Sequence, residues 1–175
     1  FMSVQSINTR FRAYQLDTAG SSFSYFSEDK FVLIEGRYCE ANEPSIKQEL
    51  NICGRDRISA LHITSWDQDH CVPGQLSKIL MQFSPSKVEY PGYEPHSESG
   101  SQSLNIIQAY KRSFKPEVRL IRISPEYIDS LGKAENYGYK DIIYHPKVLD
   151  ADSSNNNSTI KQFRTGSFNV LSLGD

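Results

Sequence analysis

The stretch Leu61-His62-Ile63-Thr64-Ser65-Trp66-Asp67-Gln68-Asp69-His70-Cys71-Val72-Pro73-Gly74 decides how the rest of the chain is read. Residues 58 to 64 are an apolar, β-branched run that reads as a strand, and from Gln75 to Phe83 the apolar residues Leu76, Ile79, Leu80 and Phe83 fall on one helical stripe. Between them lies a polar segment with two carboxylates and an imidazole within four residues, just past the strand's C-terminal end. That is where α/β sheets present their ligand-binding loops. Carboxylate oxygen and neutral imidazole nitrogen are both good donors to zinc or manganese, so Asp67, Asp69 and His70 are candidate metal ligands. The same residues also suit a turn whose carboxylates cap the following helix. Asp-x-Asp-His is too short a pattern for spacing alone to choose.

Upstream, residues 9 to 17 alternate apolar and polar and predict a strand with Phe11, Ala13 and Leu16 inward. Phe23 to Phe26 and Lys30 to Glu35 predict two more, the second with Phe31-Val32-Leu33-Ile34 suited to burial on both faces. Glu43-Pro44 then opens a short helix through Ile46, Leu50 and Cys53 that Gly54 ends. Downstream the alternation continues: strand 87 to 90, helix from about 101 to 113, strand 117 to 123, and a short helix opened by Ser124-Pro125. Strands at 139 to 144 and 168 to 173 flank a polar Asp152-to-Ser158 loop. Antiparallel strands first and strand-helix alternation afterwards predict one layered α/β domain over 1 to 175.

Bulk properties narrow the function classes. With 38% apolar residues, 10 Tyr and 9 Phe, the chain has the makings of a core that a disordered sequence lacks. A net charge of -2 and the lack of a basic stripe give no electrostatic argument for tight nucleic-acid binding, although a nuclease can grip through metal and a few local cations. Cys39, Cys53 and Cys71 are odd in number and lack C-x-x-C spacing, which argues against a disulfide framework and a zinc knuckle and fits a reducing, cytoplasmic setting. No apolar run reaches the length of a membrane span.

Taken together, the motifs resemble the metallo-β-lactamase superfamily. Residues 64 to 74 are similar to its His-x-His-x-Asp-His turn, and most similar to the His-x-Asp-x-Asp-His variant in the hydrolase domain of competence DNA-uptake proteins. Leu16-Asp17-Thr18-Ala19-Gly20 and Phe31 to Gly36 resemble the family's opening strands, and Asn155-x-x-Ser158 and Leu171-Ser172-Leu173-Gly174-Asp175 its Asn-x-x-Ser loop and Gly-Asp strand. The resemblance implies the N-terminal and central part of an αββα fold, short of the family's second half. It further implies a divalent-metal site, zinc or manganese, with one or two ions. Asp67, Asp69, His70 and Asp175 would be the ligands, Asp69 catalytic and Asp175 bridging, with Glu35 supporting from behind. Ser65 stands where the first His belongs. A hydroxyl is a poor substitute for imidazole there, so the first ion's subsite is expected to be weakened or lost.

Other residues read more plainly. His96 lies in the polar loop 91 to 100 at about the place of a third-motif His, and is a candidate ligand or an exposed loop residue. His62 is expected to pack within its strand with its nitrogens on backbone groups, and His145 to be structural. Trp66 either shields the site or packs under the turn.

Two functions follow from the resemblance. One is a metal-dependent hydrolase, with phosphodiesters favoured by the uptake-protein likeness. The other is a catalytically degenerate member acting in binding or assembly with another chain or a second copy.

Overall fold

The computed structural model describes residues 7–114, 117–132, 141–165 and 167–174. Strands β1 (Thr9–Ala13), β2 (Phe23–Ser27) and β3 (Lys30–Ile34) form the antiparallel meander. Helices α1 (Glu43–Ile52), α2 (Pro73–Phe83) and α3 (Glu98–Phe114) then alternate with β4 (Ala60–His62), β5 (Lys87–Pro91) and β6 (Arg119–Ile123). These last three strands continue the sheet in parallel, giving the order β1-β2-β3-β4-β5-β6. After α4 (Pro125–Leu131), strands β7 (Asp141–His145), β8 (Ile160–Thr165) and β9 (Phe168–Ser172) make a second, antiparallel sheet in the order β7-β8-β9.

Register places two rows of side chains on opposite faces of the large sheet. Leu33, Leu61 and Val88 are mutual partners and face the helices, where they meet Ile46, Leu50, Leu76, Ile79, Leu80, Phe83, Ile107 and Tyr110. Ile34, His62 and Glu89 form the next row and face the second sheet. There Tyr25 and Ile34 pack against Phe163 of β8, with Phe23, Val32 and Val170 around them. β3 is thus buried on both faces, as its unbroken apolar run predicts. Each fully buried Leu, Ile or Phe contributes roughly 1.5–3 kcal/mol, so both interfaces are held chiefly by apolar burial.

The second interface also contains charge. Glu89 is almost fully buried and receives Lys161 Nζ at 2.5 Å, Lys87 Nζ at 2.8 Å and His62 Nδ1 at 2.9 Å. His62 therefore bonds a carboxylate rather than the backbone groups expected for it, because parallel register puts Glu89 directly beside it. The expectation for β1 also needs correction. Phe11 is 40% exposed and Ala13 is exposed, while Arg10 and Arg12 reach Glu49 of α1. As an edge strand, β1 meets the helix layer through charge, and Phe11 stacks on Phe23 instead. Strand β8 was not legible as a strand, since its inward residues are Lys161 and Phe163.

Serine side chains cap two helices, at Ser124 as the sequence predicts and at Ser97, which it does not declare. Ser124 Oγ accepts from Tyr127 N, fixing the start of α4 with Pro125 in its first turn. Ser97 Oγ accepts from Gly100 N, so α3 begins at Glu98, earlier than expected. The three cysteines are free thiols. Among the described residues no helix is long and apolar enough to cross a membrane.

Candidate metal centre

The turn from Thr64 to His70 leaves the C-terminal end of β4 and is braced from two sides. On one side Glu35, just past β3, adopts φ 76, a left-handed conformation uncommon for a residue with a side chain. Its amide donates to His62 O at 2.8 Å, and its carboxylate accepts from Thr64 N at 3.1 Å and from Thr64 Oγ1 at 2.6 Å. On the other side, Gly20 has φ 141, and a Cβ there would lie 2.2 Å from Asp69 O, so the 17–21 loop can close on the turn only with glycine at this position.

The bracing orients His70, which is 5% exposed. Its Nδ1 lies 3.1 Å from Thr64 Oγ1 and 3.2 Å from Glu35 Oε1. The Thr64 hydroxyl proton already goes to Glu35, so the Nδ1 proton completes the network and Nε2 turns toward Asp69 Oδ2 at 3.5 Å. Two donors about 2.0–2.1 Å from one tetrahedral ion stand roughly 3.4 Å apart. The spacing of Asp69 Oδ2 and His70 Nε2 is thus compatible with two donors to one divalent ion, and Glu35 lies on the far side of the imidazole, at Nδ1.

Asp67 is held differently. Its Oδ2 accepts from Ser154 Oγ at 2.7 Å and from Ser65 Oγ at 3.1 Å, and Ser65 Oγ also lies 3.0 Å from Tyr93 OH. Two hydroxyls thus hold one oxygen of the carboxylate, and Ser65 stands where the resemblance expects an imidazole, so among the described residues Asp67 has no nitrogen donor beside it for a first ion. Among the described residues no three of His, Cys, Asp or Glu converge as a metal-holding group. Asp175 lies outside the described residues. The adjoining Gly174, at φ 73, packs so tightly on Ser158 and Thr159 that a Cβ would meet Ser158 Oγ at 2.2 Å, and Thr159 N donates to Thr64 O at 3.0 Å. The Gly174 segment therefore reaches the wall of the turn.

The remaining candidates are placed as follows. His96 is exposed and stacks on Tyr93 at 5.8 Å, with no hydrogen bond to the turn among those described. Trp66 packs under the turn, 1% exposed, and donates Nε1 to Tyr93 O at 3.0 Å. His145 Nδ1 lies 2.9 Å from Ser158 O, a structural role. Cys71 is buried, and burial pushes its thiol up to about 12, out of the nucleophile range. Sequence reading missed Thr64, Tyr93, Ser154 and Arg37, whose polar side chains gain meaning only from neighbours distant in sequence.

Comparison with solved structures gives an independent measure. A protein of Thermotoga maritima, provisionally assigned as a metallo-β-lactamase, superposes with a TM-score of 0.54 at 10% identity, over 95% of this chain and 77% of that one. The fold is metallo-β-lactamase-like. At that identity the likeness extends to the fold alone. No family model and no curated protein matches the sequence. The finer likeness to competence-type hydrolase domains rests on the residues of the turn and has no support from these comparisons.

Proposed function

We propose that the chain is a hydrolase domain of the metallo-β-lactamase fold that holds a single divalent ion, zinc or manganese, on Asp69 and His70. The observation that carries this is the pair's geometry: Nε2 and Oδ2 at 3.5 Å, with Nδ1 engaged by Glu35 and Thr64. Asp175 is the candidate third donor on the family pattern. Bound there, a divalent ion supplies Lewis acidity and makes water a nucleophile near neutral pH. The chain's own part is to keep His70 in one orientation through Glu35, to present the 43% exposed Asp69 carboxylate at the rim, and to bury the imidazole away from bulk water. A phosphodiester is the substrate class we favour, by analogy with uptake-protein hydrolases.

A second reading has its own support. Asp67 Oδ2 is held by two hydroxyls, and an open concavity of about 710 Å³ beside the second sheet is lined by Val148, Leu149, Ile160 and Leu173 together with the polar His145, Asp150, Asn155 and Asn156. Both favour a degenerate domain that binds another chain or a second copy. Metal analysis separates the two. Protein purified without chelator should retain up to one equivalent of zinc or manganese and gain thermal stability from either, by RT ln(1 + [L]/Kd), and Asp69→Ala should lose both effects. Metal-free wild type with no such gain would leave the binding reading.

A further inference from the structure

Arg37, which follows the strained Glu35 and Gly36, is 2% exposed, and among the described residues its guanidinium meets no carboxylate. All its described bonds go to neutral oxygens. Nη1 donates to Ala19 O at 2.9 Å, Gln68 O at 3.0 Å and Asp69 O at 3.0 Å. Nη2 donates to Thr18 Oγ1 at 2.6 Å, and Nε to Gln75 Oε1 at 3.1 Å. Burying a guanidinium without a counter-charge is costly, and a domain needing only packing here would do as well with an apolar residue. The fork does something packing cannot: it gathers three segments, the 18–19 loop, the 68–69 turn and α2, at one point.

The direction of that gathering matters. Asp69 O also accepts from Ser21 N at 3.1 Å, and His70 O from Gly36 N at 2.8 Å. The carbonyls of Gln68, Asp69 and His70 are thus all bonded by groups of the 21–37 segment. Fixing a residue's carbonyl fixes the bond on which its side chain leaves. We propose that Arg37 is a positioning residue for the candidate metal centre, locking the turn so that the Asp69 carboxylate and His70 imidazole emerge side by side. Lysine cannot replace it, because one ammonium cannot span five acceptors that a planar fork reaches together. The consequence for ion affinity rests on the function proposed above. The consequence for the geometry does not.

The test uses the whole chain with ¹⁵N-labelled histidine, its imidazole tautomers read from long-range ¹H–¹⁵N spectra at one fixed pH. His62, bonded to Glu89 in the other interface, reports whether the fold is intact. In wild type His70 should occupy one tautomer, protonated at Nδ1. In Arg37→Lys and Arg37→Met it should average between tautomers while the His62 signals stay in place. Should neither variant show folded His62 signals, Thr18→Val with Gln75→Ala decides, since it strips two acceptors and keeps the guanidinium. Manganese titration of the same samples should show at least tenfold weaker binding in Arg37→Lys. Wild type that binds no manganese removes the single-ion reading and leaves the tautomer result to judge Arg37. A folded variant with His70 still in the single wild-type tautomer overturns the proposal.

Discussion

His70 Nδ1 stands 3.2 Å from Glu35 Oε1, a contact between the turn after β4 and the first residue past β3. It exists because Glu35 takes a backbone conformation at φ 76 that costs on the order of 1–3 kcal/mol and is maintained only where surrounding structure overdetermines it. The compensation comes from His62 O, Thr64 N and Thr64 Oγ1, all bonded to Glu35. The proposed site therefore depends on a backbone conformation that the neighbouring bonds must maintain, which makes Glu35 the residue to test first.

Glu35→Gln is the mildest change that tests this contact. The amide oxygen can still accept from Thr64, so the fold should survive, but the carboxylate that orients the Nδ1 proton is gone. Zinc or manganese affinity is expected to fall 10- to 100-fold, as for other groups that support a ligand imidazole. Calorimetric titration giving wild-type affinity would deny Glu35 the supporting role.

Ser65→Ala addresses the place where the family has its first His. Ser65 is fully buried and bonds both Asp67 and Tyr93, so its removal costs each of them one hydrogen bond and leaves a small void beneath the turn. Stability should drop by about 1–3 kcal/mol in urea unfolding, with metal content unchanged. A loss of bound ion together with Ser65 would show that the hydroxyl is itself a ligand.

Acid should unfold the protein through the interface between the sheets. Burial alone would raise the Glu89 carboxyl, but Lys161, His62 and Lys87 outweigh it and hold the group well below its usual range. A depressed carboxyl contributes stability that is present above its unfolded value, about 4.3, and is lost as pH falls through the folded one. Burial lowers His62 below about 6.5, more than its bond to Glu89 raises it. The unfolded chain therefore binds the His62 proton first, and stability begins to decline below about pH 6.5. Denaturation midpoints should fall in two stages, one from this imidazole and a steeper one in the carboxyl range. Glu89→Gln should flatten the second stage and, by removing the carboxylate that meets buried Lys161 at 2.5 Å, destabilise the fold at neutral pH by about 3–5 kcal/mol.

The sequence declares the strands and helices well where the apolar residues are unbroken, as in β3, or fall on one helical stripe, as in α2. It fails where charge faces inward. β8 hides because Lys161 points to Glu89, and β1 misleads because Arg10 and Arg12, not Phe11, face α1. The site shows the same division. Asp67, Asp69 and His70 stand together in sequence and are seen at once, while Thr64, Ser154, Tyr93 and Arg37 acquire their parts from register and loop closure. His62 and Glu89 lie 2.9 Å apart only because β4 and β5 pair in parallel, which no local pattern encodes.

Asp67 and Asp69 are neighbours in the motif but are expected to respond differently to the same change. Asp67→Ala removes a carboxylate whose Oδ2 serves the Ser65 and Ser154 hydroxyls, so it should loosen the 154–158 loop and lower the melting temperature with little effect on ion content. Asp69→Ala removes an exposed carboxylate whose loss should scarcely affect the fold, yet it takes away one of the two donors that meet at 3.5 Å and should abolish ion retention. Measuring metal stoichiometry and thermal unfolding on both variants gives two independent axes. The reverse pattern, ion lost with Asp67 and kept without Asp69, would place the ion at the hydroxyl-lined end of the turn and return Ser65 to the list of ligands. With manganese added, hydrolysis of bis-p-nitrophenyl phosphate, where it occurs, should follow Asp69 and not Asp67, because a nucleophilic water can form only where the ion is held.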